Sequence, residues 1–205
     1  MSISSLPEER ESDRISIAYN RIICYHKLWI KFIIGSMLIG AGGSNDRASI
    51  PLATKRGTPI PNERRRERPP EALKAAMQIW TQKYPNIRLR SLTAVYNCVG
   101  LPFASRRTCI DPEHLKTILR EDDYRRLSGE HEVEIGDLVL YRPNKDEYSH
   151  IAVVVKKEPK VINASFEITV VSQWGADGEY IHLIDEVPDS YGTIKEFWTD
   201  RRTSQ

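Results

Sequence analysis

"GDLVLYRPNKDEYSHIAVVV", residues 136–155, decides the fold. Two runs rich in β-branched and aromatic residues, Leu138–Tyr141 and Ile151–Val155, flank a polar stretch. Such runs read as neighbouring strands joined by a loop. Gly136 and Asp137 form the turn that launches the first run, and His150 stands at the mouth of the second. Downstream, "FEITVVSQWG" (166–175) and "GEYIHLI" (178–184) have the same texture and predict two more strands. Upstream the texture is helical. In "PPEALKAAMQIWTQKYP" Leu73, Ala76, Met77, Trp80 and Tyr84 recur at helical spacing, with Pro70 in the first turn and Pro85 at the end. A second helix is predicted from Asp111, as N-cap, through Leu115, Ile118 and Leu119. Helices first and strands after predict an α+β fold, with N-terminal helices packed on a small antiparallel β-sheet.

The 205 residues carry a formal net charge of +2, with 28% charged and 40% hydrophobic side chains. That balance suits a soluble globule and gives no reason to expect nucleic-acid binding. Three cysteines, Cys24, Cys98 and Cys109, make an odd number with no C-x-x-C pair. Neither a disulfide framework nor a metal site follows, and no cofactor is expected. Three segments are read. Residues 1–43 comprise a charged start and an apolar stretch, 28–43, interrupted by Lys31. The stretch is shorter than the roughly 20 residues needed to span a bilayer. It suits a signal, an anchor that associates with a membrane, or a buried helix. Residues 44–69, rich in proline and arginine, read as a linker. Its Arg64, Arg65 and Arg66 suit either a phosphate contact or, as charge runs usually do, a solvated tether. Residues 70–201 form the expected functional domain, read as a monomer; the compartment stays open between cytoplasm and export.

Cys98 lies in "VYNCVGLPFA", residues 95–104. Thiol hydrolases need a thiolate, a base that makes it and a group that orients the base. Of the five histidines, His26 falls in the apolar N-terminal segment, His114 in a first helical turn and His131 in a charged loop. His182 falls within a strand, where a satisfied structural histidine is the ordinary reading. His150, at a strand mouth, has its backbone held while its ring faces the sheet edge. An antiparallel pairing of 150–156 with about 166–173 would bring Ser172 or Gln173 opposite His150. A one-residue slip exchanges the two. The bland reading of Cys98 is a buried inert thiol.

Asn97-Cys98, "GDLVLY" and "SHIAVVV", in that order, resemble the NlpC-type cysteine peptidases and their CHAP amidase relatives, over about residues 70–201. The resemblance implies a papain-like fold, with Cys98 as nucleophile and His150 as general base. It implies a polar third group, for which Gln173, Ser172 and His182 are candidates. It also implies hydrolysis of an amide or peptide bond in a cell-wall (peptidoglycan-like) peptide or a protein. Gly100 and Pro102 depart from the pattern, because relatives put the cysteine at the start of a long helix and Pro102 would interrupt one. The alternative is a catalytically inactive binding module on the same fold.

Overall fold

The computed structural model describes residues 49–144, 147–160 and 165–202. All of them belong to one compact unit, Asn45–Gln205. In chain order the strands and helices are β1 (Asn62–Glu63), α1 (Pro70–Lys83), β2 (Arg88–Ser91), α2 (Gly100–Phe103), β3 (Cys109–Ile110), α3 (Leu115–Glu121), β4 (Arg125–Arg126), β5 (Leu138–Arg142), β6 (His150–Pro159), β7 (Phe166–Gln173), β8 (Glu179–Leu183) and β9 (Ile194–Thr199). Seven strands form one antiparallel sheet in the order β2-β8-β7-β6-β5-β9-β4, and β1 pairs with β3.

The expected architecture is corrected here. The described chain is mostly β, with three short helices, and is not a set of N-terminal helices on a small papain-like sheet. Two physical causes are visible. The helix expected around Cys98 is a single turn, because Pro102 has no N–H to offer the Cys98 carbonyl four residues back. The chain then leaves through two consecutive left-handed residues, Ser105 (φ 50°) and Arg106 (φ 64°). Meanwhile β2, β4 and β9 widen the sheet on both sides. Strand β9, "IKEFWT", pairs along its length with β5, from Arg142↔Ile194 to Leu138↔Trp198.

The sheet is covered on both faces. Leu138, Leu140 and Ile151 pack on one face against Leu115, Ile118 and Leu119 of α3. Val139, Tyr141, Ala152, Val154, Ile168 and Val170 form the core of the other. Further along this second face, Ala76 and Trp80 of α1 meet Trp174 and Tyr180. Each fully buried aliphatic or aromatic side chain contributes on the order of 2 kcal/mol. Two-sided burial explains why "LVLY" and "IAVVV" show no alternation with polar residues.

The proline- and arginine-rich stretch read as a linker is part of this unit. Thr54 Oγ1 donates to Glu121 (2.8 Å), and the Arg65 N–H donates to the Val95 carbonyl (3.2 Å). Glu67 accepts from the Ala94 N–H and the Thr93 hydroxyl, each at 2.6 Å, and Arg68 pairs with Asp177. The apolar residues 28–43 lie outside the described residues. Among the described residues no helix is long and apolar enough to cross a membrane.

Candidate functional site

Asn97 fixes the segment that carries Cys98. Its Oδ1 accepts from the N–H groups of Gly100 (2.9 Å) and Ile110 (3.1 Å), and its Nδ2 donates to the Ile110 carbonyl (2.7 Å). One side chain thus closes the turn into α2 and staples it to β3. Gly100 is required by close approach, since a Cβ there would stand 1.8 Å from the Thr108 carbonyl oxygen. Cys98 is held half-buried against the core that contains Ile151.

The sheet supplies the other half of the site. Val154 bonds toward β5, its N–H to the Asp137 carbonyl (2.8 Å) and its carbonyl from the Gly136 N–H (2.9 Å). Alternation therefore turns the Ile151 N–H toward β7. Pairing of β6 with β7 begins only at Val153↔Val171, so Ile151 lies where the two strands part. It packs there in the same core against which Cys98 is held. Burial is the largest influence on the thiol and pushes it up to about 11, outweighing the lowering influence of nearby backbone N–H groups and of Arg65. The resting sulfur is a protonated thiol.

His150 shares the face of Tyr141, Ala152 and Val154, because cross-strand partners point the same way. Its ring stacks on Tyr191, with centroids 3.9 Å apart and planes at 2°, and lies 5.6 Å from the Tyr141 ring. Burial, with a smaller contribution from nearby His182, holds its pKa well below the ordinary histidine value, so the imidazole is neutral. Its Nε2 is buried and has no hydrogen-bond partner. Cys98 thus packs against the core that holds Ile151, the residue after His150. Their side chains belong to opposite faces of the sheet, and no Cys98–His150 hydrogen bond forms.

The register separates the two candidates for the third group. Ser172 pairs with Tyr180 and lies on the face of His150, whereas Gln173 pairs with Glu179 and lies on the face of Cys98. Neither bonds His150. Gln173 Nε2 donates to the Thr93 carbonyl (2.7 Å), and its Oε1 is buried without a partner. Ser172 Oγ lies 2.8 Å from His182 Nε2 and accepts from the Trp174 indole (3.0 Å). His182 Nδ1 lies 2.8 Å from the Leu183 carbonyl and must carry the proton, so Nε2 accepts from Ser172. That is the geometry of an activated serine. Yet Ser172, His182 and Trp174 are all sealed, at 0%, 1% and 1% exposure, and burial lowers the His182 pKa to about 4. The trio is a satisfied core network.

Comparison with protein-family models, with curated proteins and with solved structures found no match to this chain.

Among the described residues no group of His, Cys, Asp or Glu could hold a metal ion. A groove of about 480 Å³ lies between Arg88, Thr169, Ile181 and Leu183; neither Cys98 nor His150 lines it. Asp137, part of the motif before β5, is structural. Arg201 donates to both its oxygens (3.1 and 2.6 Å) and the Glu134 N–H adds a third bond (2.7 Å). Burial works to raise its pKa, and these donors together with Thr199 outweigh it and hold the carboxyl below its usual range. Sequence reasoning gave Tyr191 no place in the site; the following Gly192, at φ 82° with Arg142 backbone against it, makes a tight turn that presents the ring to His150.

Proposed function

We propose that the protein is a thiol hydrolase acting on an amide or peptide bond, with Cys98 as nucleophile and His150 as base. What carries this is the placement of the half-buried Cys98 against the core that holds Ile151, the residue after the strand-mouth His150, whose Nε2 has no partner. A backbone N–H beside the thiol is the kind of donor that stabilises the oxyanion formed on attack. The buried Nε2 of His150 has no hydrogen-bond partner and so no competing bond. With thiol and imidazole both neutral at rest, proton transfer accompanies attack. Before attack His150 must turn from its stack on Tyr191 to the Cys98 side of β6; sulfur then bonds to the carbonyl carbon while its proton passes to His150. The C–N bond then breaks and the amine leaves with that proton. Water, deprotonated by the same imidazole, hydrolyses the thioester. The motif resemblance to NlpC-type peptidases supports an amide substrate, of cell-wall or protein origin. The test is labelling of Cys98 by a peptidyl vinyl sulfone, read by mass spectrometry. Labelling is expected to fall at least tenfold in His150→Ala, and equal labelling overturns the pairing.

The raised thiol favours a second reading, a non-catalytic binding module. Iodoacetamide separates the two. For a neutral thiol the Cys98 alkylation rate is expected to climb about tenfold per pH unit from pH 7 to 10 and to level near 11. The same curve in His150→Ala supports the binding module, and a lowered wild-type rate near neutrality in that variant supports the hydrolase.

A further inference from the structure

The groove of about 480 Å³ runs across the strands β6, β7, β8 and β2 of the large sheet. Lys156 pairs with Thr169 and Thr169 with Leu183, and in the adjoining row Ile181 pairs with Arg88, so these residues share one face. From β6 to β2 that face spans roughly 14 Å at ordinary strand spacing. The pairing of β6 with β7 slips between Val154 and Lys156, which makes Val155 the extra residue of a bulge and adds it to the groove. Val155 is 37% exposed, Ile181 and Leu183 are half-buried, and none of the three belongs to the packed cores. The two ends differ. At the β6 end Lys156 is engaged, its ammonium 2.8 Å from Glu158. At the β2 end Arg88 is exposed, and among the described residues its guanidinium has no hydrogen-bond or ion-pair partner. Glu186, the acid of this end, accepts from Asn86 Nδ2 (2.7 Å) and does not line the groove.

We propose that this groove binds a small organic acid, its apolar chain or ring lying over Val155, Ile181 and Leu183 and its carboxylate on Arg88. The volume falls within the range of small-molecule sites, about 300–1,000 Å³. A long apolar floor with one free cation at one end matches a ligand with one apolar body and one acid group. Covering the floor supplies affinity by removing exposed aliphatic surface from water. The guanidinium sets the direction of binding, because its paired N–H donors match a carboxylate. The site is separate from Cys98 and stands whether or not that thiol is catalytic.

The test is a fluorescence titration of the full chain with two probes of similar apolar body, the anionic anilinonaphthalenesulfonate and the neutral phenylnaphthylamine. Both are expected to bind the wild-type chain, and decanoate is expected to displace the anionic probe. In Arg88→Gln the Kd of the anionic probe is expected to rise about tenfold, as a charge-assisted contact is lost. The Kd of the neutral probe is expected to stay as it was. Arg88 is exposed, so this variant is expected to keep the wild-type urea midpoint. Leu183→Asn, in the floor, is expected to weaken both probes. An anionic-probe Kd unchanged in Arg88→Gln overturns the proposal, and so does equal weakening of the two probes in that variant. Failure of decanoate to displace the anionic probe, or unaltered binding of both probes in Leu183→Asn, overturns it as well.

Discussion

Asn97 makes three hydrogen bonds in the turn that carries the thiol, two as acceptor and one as donor. An alanine there leaves the Gly100 and Ile110 amides without their acceptor. Asn97→Ala is expected to cost about 2–3 kcal/mol of stability in a urea titration. It is also expected to speed iodoacetamide modification of Cys98, because the turn that encloses the sulfur is loosened. At this scale the sequence was half legible. The Asn-Cys pair and the strand-mouth His150 are visible as letters, and the structure packs the half-buried Cys98 against the core that holds Ile151, the residue after His150. Which way each side chain points was not visible. That depends on a register read only from the paired backbones, and it sends Cys98 and Gln173 to one face and His150 and Ser172 to the other.

At the scale of elements, the strands between 138 and 183 and helix α1 follow directly from residue type and punctuation. What escaped is what depends on distant partners. Strand β2, "RLRS", is polar enough to pass for loop, and it is a strand because Arg88↔Ile181 and Leu89↔Tyr180 pair it to β8. Strand β9 owes its place to β5, more than fifty residues earlier in the chain. Helix α2 depends on Gly100. The Cβ of a Gly100→Ala variant would meet the Thr108 carbonyl oxygen at 1.8 Å, and neither backbone segment can yield without breaking the Asn97 bonds. This variant is expected to lose about 3 kcal/mol or more, read from its shifted urea midpoint.

For the whole molecule, the two buried histidines dominate the response to mild acid. Both have pKa values lowered on folding, His182 to about 4 and His150 well below its ordinary value. The unfolded chain therefore takes up protons on these groups as pH falls below about 6.5, while the folded chain does not. Stability is fully present above pH 6.5 and drops between there and about 4. The slope approaches about 1.4 kcal/mol per pH unit for each histidine. The depressed carboxylates, Asp137 among them, act in the same direction only once the pH reaches their unfolded range near 4. Urea titrations between pH 7 and 5 are expected to show the decline, and His182→Asn to reduce the slope by about half.

The order of strands across the sheet also sets a clock. Strands β5 to β8 are successive neighbours joined by short connections, whereas β2 reaches β8 and β9 reaches β5 only across long stretches of chain. Local hairpins close fast, and distant pairings wait for a costly loop closure. Ile151 belongs to the early hairpins, and Cys98 to the late-arriving segment after β2. The enclosure of the sulfur against the sheet is then among the last parts to assemble. A pulse of alkylating agent during refolding is expected to modify Cys98 long after the central strands have acquired protection from hydrogen exchange, so a newly made chain carries this thiol open before it carries it enclosed.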